Sequence, residues 1–157
     1  KWQFGLGGLA TLAHDSLIAI SMYSIFSGIL PFSLEIDQST IAAILTIIGY
    51  SINDSVIIFD RIREYNFLYP KRHLKDNINS AINSTIGRTF MTSGTTLLVL
   101  ISIFIFGGEI IRGFTFALII GVIVGTYSSI FISTPIAYEL SQKEGKKAIK
   151  KSKSKKK

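Results

Sequence analysis

The chain has no cysteine and only two histidines, His14 and His73, in its 157 residues. The first absence excludes disulfide scaffolds, thiol catalysis and cysteine-based zinc sites. The second leaves no His-rich metal site, because the two histidines lie far apart in sequence. No metal or other cofactor is therefore expected. Positive charge is also missing from most of the chain. The formal net charge is +7, but residues 141–157 hold nine Lys and one Glu, while residues 1–140 hold eight basic and nine acidic side chains. The body is thus close to neutral and offers no basic face for a nucleic acid, which is not expected as a partner. Ser-His-Asp spacing, a phosphate loop and a metal cluster are all absent, so no soluble-enzyme reading survives and the chain is read as a non-enzyme. It begins on Lys1 with no visible signal peptide, and is expected to be one part of a longer polypeptide.

Apolar sequence is what the chain has in quantity. Hydrophobic residues make up 48% and the mean hydropathy is +0.43. Uncharged runs organise it: 16–34, 38–59 interrupted only by Asp54, 89–108, and 113–138. A helix needs about 20 mainly apolar residues to cross a bilayer core of about 30 Å. These runs lack the alternation of a membrane barrel, so the expected fold is an all-α, polytopic membrane bundle. Four spans are expected at about 6–30, 41–59, 89–106 and 114–138. A soluble bundle of buried helices is the alternative, and four spans this long and uninterrupted argue against it.

The links set the orientation. The segment 61–88 carries six basic and two acidic residues, and the stretch after Tyr138 carries nine Lys and two Glu. The other links, 30–40 and 107–113, are short and hold little positive charge. Positive charge stays inside, so the first span runs outward and the C-terminus is cytoplasmic. Tyr69-Pro70 breaks the helix emerging from span two. Leu74, Ile78, Ile82 and Ile86 then recur every fourth residue. This predicts a cytoplasmic amphipathic helix over about 71–86, or equally a helical extension of span three. The Lys, Ser and Gly run at 141–157 is expected to be disordered.

An ionisable group inside a span costs about 2.5–3.5 kcal/mol at its centre, so it needs a partner or a task. Asp54 lies within span two on a polar face with Thr46 and Tyr50, beside Asn53. Arg88 opens span three from the cytoplasmic side, and Thr92, Thr95, Thr96 and Ser102 follow near its face. Opposite charges on two hydroxyl-lined stripes at similar height suggest an Asp54–Arg88 interaction, direct or through water. It serves either an ion or proton pathway or the locking of two helices. Asp15 shares a face with Thr11 in span one and adjoins His14. It could join a proton relay or make a packing hydrogen bond. Asp60, next to Arg61, reads as an interfacial anchor. Gly121, Gly125, Ser129 and Ser133 form an i+4 small-residue stripe suited to close helix packing. Pro135 should loosen the end of span four.

Several blocks in order resemble one family. These are LAHD at 12–15, GYSINDSVIIFDRIRE at 49–64, GRTFMTSGTT at 87–96, FGG at 106–108 with Gly113-Phe114, and GVIVGTYSS at 121–129. Together they resemble the SecF family, including the SecF half of fused SecDF proteins, within the resistance-nodulation-division superfamily. The resemblance covers residues 2 to about 140. It implies the C-terminal four-span portion of a Sec protein-export accessory subunit in the bacterial cytoplasmic membrane, without the family's first two spans and periplasmic domain. It also implies use of the proton-motive force to help exported polypeptides across. The implied partners are SecD, or a SecD half of the same chain, the SecYEG channel, YajC and YidC, with the translocating polypeptide and the lipid bilayer. The family's proton-path carboxylate and arginine fall on Asp54 and Arg88. Two other classes stay open: a superfamily transporter of a small molecule or lipid, and a non-transporting scaffold subunit.

Overall fold

The computed structural model describes residues 2–154, with side chains described as far as Glu144. Most of the tail expected to be disordered, 141–157, lies outside the residues whose side chains are described. Helix α1 is Trp2–Phe26, α2 Gln38–Leu68, α3 Leu74–Phe106 and α4 Glu109–Ser128. A π-helical turn, Ser129–Ser133, joins α4 to α5, Thr134–Ser154. No strand occurs among the described residues. Four helical stretches are long and apolar enough to cross a membrane: Trp2–Phe26, Gln38–Leu68, Leu74–Phe106 and Glu109–Glu144.

Local chemistry sets the boundaries. Helix α1 stops at Phe26, short of the expected residue 30, where Gly28 takes the left-handed φ of 79° and Pro31 follows. Asp37 then caps α2. Its carboxylate accepts from the Thr40 amide at 3.0 Å, and Thr40 reciprocates toward the Asp37 amide. The Ser39 hydroxyl and the Thr40 N–H hold the Asp37 carboxyl below the usual carboxylate range. Helix α2 ends at Leu68, since a residue before proline resists the α conformation.

The segment expected as a separate amphipathic helix is instead the first half of α3, which runs unbroken to Phe106. Its 33 residues span about 50 Å at 1.5 Å per residue, more than a bilayer core requires. The apolar face of that first half meets protein: Ile78 and Ala81 are buried with Ile58, Phe59, Ile62 and Ala137. That contact satisfies the face that would otherwise seek a membrane surface.

Helix α4 packs against α1, α2 and α3. The core has two apolar clusters. One gathers Ala19, Tyr23, Leu34, Ala43, Ile47, Leu100, Ala117, Leu118 and Val122. The other is the Ile58–Ala137 group just described, extended by Phe4 against Phe59 with ring centroids 4.9 Å apart. Helices α1, α2 and α3 contribute to both, while α4 feeds the first and α5 the second, and buried polar residues lie between the two clusters.

Candidate functional site

That intervening layer is where the buried polar groups collect. From α1 come Thr11 and Asp15, from α2 Ser51, Asp54 and Ser55, from α3 Thr85, Thr89 and Ser93, and from the fourth span Thr126, Ser128, Ser129, Ser133 and Thr134, all buried. Most of these hydroxyls are partnered. Ser93 and Thr126 lie 2.6 Å apart across α3 and α4. Thr126 also returns to the Val122 carbonyl at 2.7 Å, and Thr85 to the Ala81 carbonyl at 3.0 Å.

Asp15 is the junction of three helices. It is 1% exposed. Its Oδ2 accepts from Ser51 Oγ of α2 and, at 2.8 Å, from Ser128 Oγ of α4. Its Oδ1 lies 3.0 Å from Nδ1 of the half-exposed His14. Gly125 of α4 lies against this meeting. A Cβ there would lie 3.4 Å from Ser51 Cβ and 3.8 Å from Asp15 Oδ2.

Asp54, one turn along α2 from Ser51, contrasts with it. It is 2% exposed, makes no side-chain hydrogen bond among the described residues, and its Oδ2 is fully enclosed without a donor. A buried polar group without a partner is costly, and a charged one more so. Among the described residues the ion pairs within 4 Å are His14–Asp15, Arg61–Glu64 and Lys143–Glu139, so Asp54 and Arg88 do not touch. Arg88 sits instead on an exposed face of α3. It lines a polar pocket of about 440 Å³ between α2 and α3, with Asp60, Arg61, Glu64, Ser84 and Thr85. Arg61 is committed there to Glu64 at 2.6 Å and to Ser84 at 3.1 Å. Asp60 and Arg88 remain as the pocket's other charges.

Asn53, Arg88 and Thr92 face outward from the four-helix body, and Thr92 Oγ1 is spent on the Arg88 carbonyl at 2.9 Å. The structure therefore does not gather Asn53, Asp54, Arg88 and Thr92 into one contact. Thr95 and Ser102 also point outward, and the buried stripe of α3 is Asn77, Ala81, Thr85, Thr89 and Ser93.

The small-residue stripe of the fourth span is buried along its length. Gly121 lies directly on Ile47, and Gly125 on Ser51. The helix widens into its π turn at Ser129–Ser133, just before Pro135. Proline removes one backbone donor and crowds the carbonyl four residues earlier. Thr134 Oγ1 reaches back five residues to the Ser129 carbonyl at 3.1 Å. Gly7 of α1 seats on the turn, where a Cβ would stand 2.7 Å from the Ser133 carbonyl oxygen.

The family profile described as "Protein export membrane protein SecD/SecF, C-terminal" matches residues 1–143. The chain belongs to the SecD/SecF C-terminal family. It is 55% identical over 140 residues to the protein translocase subunit SecF of Rhodothermus marinus, covering 89% of this chain and 46% of that protein. The SecF subunit of Cereibacter sphaeroides is 44% identical over 145 residues, with 92% and 43% covered. The chain thus spans about half the length of the curated relatives it matches. A crystal structure of SecDF in its super-membrane-facing form superposes with a TM-score of 0.81 at 42% identity, covering 97% of this chain and 20% of that one. This chain is accordingly a multi-pass membrane segment of SecD/SecF type.

Sequence reasoning missed Ser51 and Ser128, the two hydroxyl donors to Asp15. The signal for Ser51 was its position three residues before Asp54, on the same side of the helix. For Ser128 there was only its place beside Ser129. Among the described residues no three His, Asp or Glu side chains are grouped to hold a metal ion.

Proposed function

We propose that this chain is the C-terminal membrane portion of a Sec protein-export accessory subunit that couples the proton-motive force to movement of exported polypeptides. The single observation that carries the reading, beyond family membership, is Asp54: a buried carboxylate whose enclosed Oδ2 has no donor among the described residues. A group so placed is expensive as packing and useful as a switch. When Asp54 is ionised it attracts Arg88. When it takes a proton that attraction ends, and the packing of α2 against α3 is free to change. The membrane potential supplies about 2.3 kcal/mol per charge per 100 mV, enough to bias a two-state element of a few kcal/mol. Each proton taken up by Asp54 from one side and released to the other then drives one cycle.

Charge distribution supports an orientation with the 61–88 segment and the C-terminus in the cytoplasm. SecD, or a SecD half, is the partner that would complete the bundle, beside SecYEG with YajC and YidC. The chain carries no chemistry of its own and acts by conformational change.

The test uses the full-length subunit in the complete export complex. Asp54→Asn should assemble with SecD and lose proton-dependent stimulation of export. Arg88→Met should do the same. Stimulation at the wild-type level in Asp54→Asn would remove the reading. An Arg88→Met variant that simply fails to assemble would instead favour helix locking.

A further inference from the structure

The polar layer contains a second carboxylate for which this mechanism has no task. Asp15 is as buried as Asp54, yet all its contacts are made: Ser51 of α2, Ser128 of α4 and His14 of its own helix. Ser51 stands one turn from Asp54 on α2, so whatever fixes Ser51 also fixes the rotation of α2 that presents Asp54. We infer that Asp15, with Ser51 and Ser128, is a positioning clasp that holds α2 against α1 and α4 and so sets where the Asp54 carboxylate points. The inference rests on the coupling role proposed for Asp54.

The geometry favours positioning over proton carriage. A carrier has to gain and lose its proton against its surroundings, whereas Asp15 Oδ2 is held by two hydroxyl donors from two other helices. Hydroxyls in those positions fix an acceptor and its direction. Gly125 borders the arrangement: a Cβ there would come into van der Waals contact with Ser51 and Asp15, so a larger side chain would intrude on the clasp. Among the described residues the titratable and charged groups near Asp15 are few. His14 comes from α1, Asp54 lies a turn away on α2, and α4 brings Ser128 with no charge. On the other side of Gly125, Gly121 is seated on Ile47 of the same α2 face. The register of α2 against α4 is therefore fixed by one apolar seat and one polar clasp a turn apart.

The experiment compares Asp15→Asn, Asp15→Leu, Ser51→Ala and Ser128→Ala in the full-length subunit within the complete complex, with wild type and Asp54→Asn as references. The readouts are the amplitude and the pH profile of proton-dependent export stimulation. Asp15→Asn keeps an amide oxygen that can accept from both serines, and should retain the wild-type pH profile and most of the amplitude. Asp15→Leu should lose stimulation. Ser51→Ala and Ser128→Ala should each lower it about fivefold, the factor expected for one net hydrogen bond, and displace the pH midpoint. A midpoint shift is something general destabilisation would not produce. Loss in Asp15→Asn as complete as in Asp54→Asn would overturn the clasp in favour of a charge-carrying Asp15. Unchanged amplitude and midpoint in both serine variants would also overturn it.

A second measurement is independent of export. The chain has no cysteine, so Ile47→Cys with Gly121→Cys places a reporter pair at the α2–α4 contact. Disulfide formation should fall when Ser51→Ala is added. If it falls while Asp54→Asn exports like wild type, the clasp stands and the coupling role of Asp54 does not. If it is unchanged, the clasp is wrong whatever Asp54 does.

Discussion

Asp15 and Asp54 are the same side chain, almost equally buried in one bundle, and their surroundings are opposite. Asp15 is met by Ser51 of α2, Ser128 of α4 and His14 of its own helix, whereas Asp54 has an enclosed oxygen and no donor among the described residues. The first arrangement stabilises one geometry. The second leaves a group whose energy changes whenever a proton or a cation arrives. Burial alone does not separate the two, since both are almost fully covered. The number of committed partners does, and it assigns one carboxylate to holding and the other to responding.

The contrast can be broken most severely at Gly125. Gly125→Leu would drive a branched side chain against Ser51 and Asp15 and should cost about 3 kcal/mol, the upper range for overpacking a filled interior. Gly49→Leu is the control. Gly49 lies on the same α2, nothing lies within 4 Å of the position its Cβ would take, and little change is expected. Unfolding of the detergent-solubilised protein measures both. Next, Asp15→Leu should destabilise by about 2 kcal/mol by stripping the acceptor from two buried hydroxyls. Asp54→Leu, which removes an unpartnered polar group, should leave stability unchanged or raise it by up to about 1 kcal/mol. Equal losses from the two leucine variants would erase the distinction. Ser51→Ala should cost about 1 kcal/mol, one hydrogen bond's net worth.

The smallest effect is expected outside the layer. Asp37 is depressed below its ordinary range by Ser39 and Thr40, so its capping contribution is complete above the unfolded carboxylate value and disappears as pH falls through the lower folded one. Asp37→Ala should be slightly less stable than wild type near neutral pH, with the difference vanishing under acid. A difference that grew in acid would contradict the cap.

Much of this was legible in the sequence. Uncharged runs gave the four spans, Pro70 the end of α2, and the isolated charges Asp15, Asp54 and Arg88 the positions to inspect. The amphipathic stretch at 74–86 was harder. An apolar face bound for protein and one bound for a membrane surface have the same periodicity, and only the contact of Ile78 and Ala81 with α2 and α5 separates them. The hydroxyl stripe of α3 misled for a related reason. Threonine in a membrane helix can bond its own backbone, as Thr92, Thr95 and Thr96 do, so a row of hydroxyls need not face a partner. Ser51 and Ser128 were beyond reach because each matters through a contact far away in sequence.

The π turn at Ser129–Ser133 carries one residue more than an α-helical path would need. That residue works as a phase adjuster. Upstream of it Gly121 and Gly125 meet Ile47 and Ser51, and downstream Ala137 meets the Ile58 and Ile62 cluster. Removing a single residue there would rotate everything after it by roughly 100° and carry Ala137 off α2. The fourth span is therefore two separately aimed rods sharing one axis, and the length of that short segment is as much a constraint on the fold as any side chain in it.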